Sequence, residues 1–219
     1  MTQASAPLLA ARASQFDDTE QQRGASALGM WVFIATEVLF FGVLFAGYTI
    51  GRLRFPEAFA AGGRRTDLLL GSIETGILLS SSCLAALAVR DVQLGGRRSS
   101  PWLLLGTAAL GAAFLVMHGF EYHSEYEEAL IPGLRYHPSG DPPHAMAIFF
   151  CLYYFITGFH SLHVAIGVAL LSRLAVKAWQ GAFSPDYIAP VEVTALYWHL
   201  VDIVWIFVYP AVYLVGRSS

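Results

Sequence analysis

The chain has 219 residues, of which 56% are hydrophobic and only 13% are charged, about half the charged fraction of an average soluble domain. Together with a mean hydropathy of +0.54, this composition excludes an ordinary soluble fold and favours a membrane protein. The net charge of −3 provides no basic surface for nucleic acid, so we expect no nucleic-acid partner.

The chain contains two cysteines, Cys83 and Cys151, and both lie within long apolar segments. This number and placement exclude a disulfide framework and a cysteine-based zinc site. We therefore interpret both thiols as small core residues.

The apolar segments predict the architecture. Residues 1–24 form a polar, alanine-rich segment, and residues 25–219 form a single domain with five apolar runs of at least 20 residues each. About 20 helical residues cross the hydrocarbon core of a bilayer, and the runs are continuous rather than alternating, which excludes strands. The sequence therefore predicts an all-α membrane protein, a bundle of five transmembrane helices. The predicted spans are 25–51, 68–89, 101–120, 145–172 and 193–216.

Glu37 is the most deeply placed acid, because it is the thirteenth residue of the first run and has no basic residue near it in sequence. Ionisable groups at bilayer depth are costly and usually have a partner or a function. Two interpretations remain open. The residue is either a protonated carboxyl that is hydrogen-bonded to a neighbouring helix, or a functional group in a proton relay or an anchor for lipid or substrate.

Glu74 is only the seventh residue of its run, which places it nearer the interface, and we expect it to hydrogen-bond between helices. The serines at 80–82 provide small residues for close helix packing.

Two pairs of polar residues have a three-residue spacing, which puts both members on one helical face. For His160 and His163, metal ligation would need further ligands from His118, His199 or the acids, and a hydrogen bond from each imidazole across the bundle is the favoured interpretation. For His199 and Asp202, we predict a buried pair in which the carboxylate accepts a hydrogen bond from the imidazole.

The third run ends with His118, Glu121 and Tyr122. The acids at 125, 127 and 128 continue into a loop, and most of these acids are interpreted as a solvated face. The sequence shows no nucleophile with a base, no phosphate-binding glycine loop and no motif that completes a metal coordination shell. We therefore predict no catalytic, cofactor-binding or metal site formed by this chain alone.

Five motifs in order resemble subunit III of the haem-copper cytochrome c oxidases, in its five-helix bacterial form, over nearly the whole chain. The glutamate of the first run is followed by Val38, Leu39, Phe40 and Phe41, and the two histidines of the fourth run lie within Thr-Gly-Phe-His-Ser-Leu-His. The motifs occupy residues 30–41, 78–82, 121–133, 157–163 and 197–205.

The resemblance implies an accessory core subunit of a proton-pumping terminal oxidase that reduces oxygen to water. Such a subunit has no redox centre of its own, because haem and copper lie in partner subunits. It packs directly against subunit I, in a complex with subunit II and further oxidase subunits. Longer members have seven helices, and phospholipid fills a V-shaped cleft between the first two helices and the remaining five. The first two helices have no counterpart in this sequence. Bound phospholipid is nevertheless expected. The resemblance also implies a multi-pass protein of the bacterial inner membrane, with a cytoplasmic N-terminus and a periplasmic C-terminus, whereas basic residues are almost evenly divided between the two sides.

Residue by residue, the resemblance matches Glu37 to the family's membrane carboxyl near the lipids and the presumed oxygen route. It matches five residues to the family's internal polar positions: Glu121, His160, His163, His199 and Asp202. We interpret Glu37, His160 and His163 as lipid-related or proton-related candidates. The structural polar network is expected to comprise Glu74, Glu121, Tyr122, Trp198, His199, Asp202 and Trp205.

Other functions remain open at this stage. A transporter or proton-relay protein would use Glu37 and the histidines as a path across the membrane, and a membrane metalloenzyme would gather the histidines around a metal. Within the family, Glu74 and Thr75 resemble quinol-oxidising members, whereas residues 122–133 are more similar to bacterial cytochrome c oxidases, which we favour over quinol oxidases. Accessory subunits of nitric oxide reductases are a further alternative.

Overall fold

A computed structural model of the chain describes residues 16, 18–132, 135–136, 143–185 and 187–217. It confirms the predicted all-α membrane bundle, because five helices of the described chain are long and apolar enough to span a membrane. Most of the predicted polar segment, residues 1–15 and 17, lies outside the described residues. The helices and strands are α1 (Thr19–Arg54), α2 (Pro56–Arg65), α3 (Leu68–Gln93), α4 (Ser100–Glu127), β1 (Leu130–Ile131), β2 (Arg135–Tyr136), α5 (Pro143–Trp179) and α6 (Ala189–Val212).

Local sequence explains where the helices start. The Asp18 carboxylate accepts a hydrogen bond from the Gln21 backbone N–H (2.6 Å), and the Asp67 carboxylate accepts from the N–H groups of Leu69 and Leu70. Aspartate caps of this kind satisfy backbone donors that have no partner within the helix. Because of its cap, α1 begins at Thr19, before the apolar run predicted to start at residue 25.

One short helix and one pair of short strands lie in linkers for which the apolar pattern predicted no structure. Helix α2 is polar on average and begins at Pro56, a favourable residue for a first helical turn. The strands β1 and β2 pair antiparallel, with Leu130 opposite Tyr136. Neither element crosses the membrane, so neither produces an apolar run of spanning length.

Helix α6 is the centre of the bundle and α1 lies at its edge. In the most apolar stretch of each helix, 61% of the residues are buried in α6 but only 11% in α1. The α1 side chains that point away from the bundle are therefore available to lipid or to a partner. The two cysteines also differ from expectation, since Cys83 and Cys151 are both exposed on the apolar surface of the bundle instead of in its core.

Two buried tryptophans of α6 hold the neighbouring helices. The indole N–H groups of Trp198 and Trp205 donate to the hydroxyls of Ser81 and Thr75 on α3, each at 3.0 Å. The Trp198 ring also lies against two glycines, Gly111 of α4 and Gly167 of α5, where a Cβ atom would come within 2.6 Å of the ring. This close packing fixes the rotation of α6, and hence the direction of its polar side chains.

Candidate functional site

The first polar group, which we call the lateral pair, joins α1 to α5. The Nε2 atom of His163 lies 3.1 Å from Oε2 of Glu37. The His163 side chain is 15% exposed and the Glu37 side chain is 16% exposed. The other ring nitrogen of His163, Nδ1, donates to the Phe159 carbonyl at 2.7 Å. Since a carbonyl can only accept, this bond fixes the hydrogen on Nδ1 and leaves Nε2 to face the carboxyl group. Glu37 thus has a tertiary partner that its sequence neighbourhood did not indicate.

His160 lies one helical turn before His163 but points into the bundle. Its ring packs against Trp205 and Phe114, with ring centroids at 5.0 and 5.6 Å. Neither of its nitrogens has a hydrogen-bond partner within the described part of the chain. This differs from the expectation that each imidazole bonds across the bundle, and it separates the two histidines into different surroundings.

The second polar group, which we call the buried triad, consists of Glu74 on α3 and of His118 and Glu121 on α4. The Nδ1 atom of His118 lies 3.3 Å from Oε2 of Glu121 and 3.6 Å from Oε1 of Glu74. The three side chains are at most 4% exposed. Each of them offers a ligand atom, and these atoms lie within 4.8 Å of one another. Glu74 therefore does contact a neighbouring helix, as expected, but the contact distance is too long for a normal hydrogen bond.

Tyr213, just beyond the end of α6, orients one member of the buried triad. Its hydroxyl donates to Oε2 of Glu121 at 2.7 Å. Burial raises the pKa of Tyr213 well above its usual value, and the nearby Glu121 carboxyl adds to this effect. The phenol therefore stays protonated and remains a donor.

The residues around the buried triad are aromatic and polar. The Tyr122 hydroxyl is hydrogen-bonded to Thr157 of α5 at 2.5 Å, and its ring lies 4.6 Å from that of His118. Glu125 is 5% exposed, whereas Glu127 is 70% exposed. Glu125 is therefore not part of the solvated face expected for most of these acids. The predicted loop is helical here, because α4 continues to Glu127 and turns Glu125 towards Tyr153 and Tyr154 of α5.

The predicted pair of His199 and Asp202 is replaced by a contact with α3. The Nδ1 atom of His199 lies 2.6 Å from the hydroxyl of Ser82. Neither carboxyl oxygen of Asp202 has a hydrogen-bond partner among the described residues, although the Ser82 hydroxyl also lies beside this carboxyl group. The packing of α3 on α6 puts the serine within reach of both residues, so the imidazole bonds to it instead of to the carboxylate one turn away.

Every member of the buried triad is a candidate in the sequence, but the sequence does not predict that the three side chains meet. The spacing of His118 and Glu121 indicates a shared face of α4, and this signal was available from the sequence. The approach of Glu74, by contrast, depends on how α3 packs against α4. Both groups combine carboxyl and imidazole side chains. The lateral pair can exchange a proton or hydrogen-bond to a lipid headgroup, and the buried triad can bind a proton or a cation.

Comparisons with known proteins agree on one family. A family model described as cytochrome c oxidase subunit III matches residues 13–217. The chain is 31% identical over 205 residues to cytochrome c oxidase subunit 3 of Thermostichus vulcanus, with 92% of each chain covered. It is 28% identical over 200 residues to cytochrome bo(3) ubiquinol oxidase subunit 3 of Pseudomonas aeruginosa, which covers 91% of this chain and 90% of that protein.

A third relative combines two subunits in one chain. This protein, heme-copper oxidase subunit I+III of Aeropyrum pernix, is 34% identical over 192 residues, which make up 85% of the present chain and 22% of the relative.

Proposed function

The chain belongs to the cytochrome c oxidase subunit III family, and from this premise we propose that it supports its oxidase complex without a redox centre of its own. As a subunit III of a haem-copper oxidase, it is part of a membrane oxidoreductase complex. In our proposal, haem and copper belong to partner subunits, and the present chain stabilises the catalytic subunit and assists the supply of protons or oxygen.

The lateral pair is the observation that carries this proposal. Glu37 and His163 meet at 3.1 Å and both remain partly exposed at the side of the bundle. A carboxyl group and an imidazole can take part in proton transfer or hydrogen-bond to a lipid headgroup, but neither can transfer electrons. This chemistry supports the proposed supporting role.

Direct packing against subunit I is the proposed partnership, with subunit II and other oxidase subunits completing the complex. Fusion of the two subunits in the Aeropyrum pernix relative supports it, because the segments of a fused chain remain neighbours. The large apolar side chains that the bundle exposes, including Trp31, Leu39 and Val43 of α1, would be covered by a partner or by lipid.

We further propose that phospholipid binds beside α1. This helix has the least buried apolar stretch of the five spans, and the lateral pair lies on the α5 side of it. The proposed location is the bacterial inner membrane, with the start of α1 on the cytoplasmic side and the end of α6 on the periplasmic side.

The variant Glu37→Gln tests the supporting role, because it preserves the shape of the side chain and removes its ionisable proton. We expect normal assembly, unchanged haem spectra and an initial rate reduced by far less than the ~100-fold loss that removal of a direct proton-transfer group causes. Activity should decline faster than in the wild type during sustained turnover. Oxygen consumption of the purified complex, followed over many turnovers, provides the measurement.

A matched control is available on the surface. His123 and Glu127 form a similar pair, with Nε2 of the histidine 3.5 Å from Oε1 of the glutamate. Their side chains are 69% and 70% exposed. The variant Glu127→Gln should therefore behave as the wild type in both phases. If Glu37→Gln abolished activity at once with intact haem spectra, the residue would be directly catalytic and the supporting role would be refuted.

A further inference from the structure

We propose that the buried triad, Glu74, His118 and Glu121, is a binding site for one zinc ion inside the helix bundle. The proposed role of the ion is structural, joining α3 to α4. It is independent of the lateral pair and departs from the expectation, based on sequence motifs, that the chain holds no metal.

Two distances within the buried triad are compatible with ligands around a metal. The His118 nitrogen lies 3.3 and 3.6 Å from the two carboxylate oxygens. Normal N–H···O hydrogen bonds are about 2.7 to 3.2 Å long. Nitrogen and oxygen ligands bind zinc at about 2.0 to 2.1 Å in a tetrahedral arrangement, so that two ligand atoms are roughly 3.3 Å apart. The observed separations exceed hydrogen-bond lengths and are close to the spacing around zinc.

The polar atoms of the buried triad also lack other partners. Both oxygens of Glu74, both nitrogens of His118 and Oε1 of Glu121 have no hydrogen-bond partner within the described residues. The Glu74 side chain is 0% exposed and that of His118 is 3% exposed, so bulk solvent does not reach these atoms. Buried polar groups of native proteins are normally satisfied. An ion between the three side chains would provide a partner for Nδ1 of His118 and for one oxygen of each glutamate.

Charge gives a third argument. Within the described residues, the ion pairs shown for Glu74 and Glu121 are those with His118. If both carboxyl groups are ionised and the imidazole is neutral, as zinc binding requires, the three side chains carry a charge of −2, which a divalent cation neutralises in full. Net neutrality matters in a buried site, where the cost of an uncompensated charge is high.

The ligand types favour zinc. An imidazole nitrogen with carboxylate oxygens suits zinc, whereas magnesium and calcium prefer oxygen ligands alone and copper(I) prefers sulfur. Either oxygen of Glu74 can bind the ion, because neither has another partner, and a water molecule would complete the tetrahedron around the three side-chain ligands. Metal-binding side chains are usually held by neighbours. Here the Tyr213 hydroxyl holds Glu121, and the Phe114 ring stacks on His118 with the ring planes 9° apart.

Elemental analysis of the intact oxidase complex tests the site. The complex is purified from zinc-replete cells, washed with EDTA, and its zinc content is measured relative to haem for wild type, Glu74→Gln and His118→Gln. We expect each variant to contain about one zinc ion fewer per copy of the chain. Asp202→Asn is the matched control, since Asp202 is another buried and unpartnered carboxyl of the bundle. It should retain the wild-type zinc content.

A measurement on the wild type keeps the test decisive if the variants fail to assemble. X-ray absorption at the zinc edge should show a first shell of nitrogen and oxygen, and prolonged chelation should lower the thermal stability of the complex until Zn²⁺, but not Mg²⁺, is restored. A wild-type complex without zinc would overturn the proposal. So would variants with wild-type zinc content, or a zinc shell composed of sulfur alone.

Discussion

The hydrogen bond of His199 depends on tertiary packing and not on the nearest polar residue in sequence. Its Nδ1 atom bonds to Ser82, which is 117 residues away in sequence, although the Asp202 carboxylate lies one turn away on the same helix. The imidazole is only half-buried, and the geometry of the nearest hydroxyl decides its pairing. The consequence is that α3, and not the local turn of α6, determines the environment of this imidazole.

The variant Ser82→Ala should therefore destabilise the complex. It removes the partner of His199 and an electrostatic neighbour of Asp202, and we expect a loss of about 0.5 to 1.5 kcal/mol. Thermal denaturation of the purified complex is the measurement.

The control for this prediction is Ser80→Ala on the same helix. The Ser80 side chain is exposed and its hydroxyl donates to the Gly76 carbonyl of its own helix, so its loss should have little effect on stability. Equal stability of the two serine variants would contradict the partnership of Ser82 with His199.

At the scale of elements, the rotation of α6 places the polar groups. Trp198 lies between Gly111 of α4 and Gly167 of α5, and its indole donates to Ser81 of α3. These contacts leave room for one orientation of the helix. Because Asp202 and Trp205 follow on the same helix, that orientation also determines which neighbours they meet.

The variant Gly111→Ala should disturb this arrangement. Its Cβ atom would lie 2.4 Å from the Trp198 ring and 2.8 Å from Val168, so the ring must move within a tightly packed centre. Overpacking of this kind costs about 1 to 3 kcal/mol, and the yield and thermal stability of the complex should both fall.

The same helix offers an open glycine as the control. A Cβ atom at Gly119 meets nothing within 4 Å, and alanine is the better helix former by about 1 kcal/mol. Gly119→Ala should therefore be neutral or stabilising. If Gly111→Ala were equally harmless, Trp198 would not set the rotation of α6.

At the scale of the whole molecule, two carboxyl–imidazole groups lie at different depths of one bundle. The lateral pair is partly exposed at the edge, between α1 and α5, while the buried triad lies inside, between α3 and α4. The edge position suits exchange with lipid or protons, and the interior position suits a permanent structural contact. One membrane subunit thus combines a partly exposed polar group with a fully buried one.

Topology gives a prediction at this scale. Five spans put the start of α1 and the end of α6 on opposite sides of the membrane, and the proposed orientation makes the latter periplasmic. Alkaline phosphatase fused to the C-terminus of the chain should be active. The enzyme inserted at residues 95–98, between α3 and α4, should be inactive because it stays in the cytoplasm. The reverse pattern would overturn the orientation but not the fold.

The sequence by itself determined the five spans, because a membrane demands about 20 apolar residues per helix. Its motifs also indicated the family that the comparisons then confirmed. Only the tertiary structure decided the partners of the polar groups, such as His163 for Glu37 and Ser82 for His199. In a membrane, the face of a helix towards lipid and the face towards the bundle are both apolar. The hydrophobic pattern therefore does not reveal how each helix is rotated, and rotation is what brings distant side chains together.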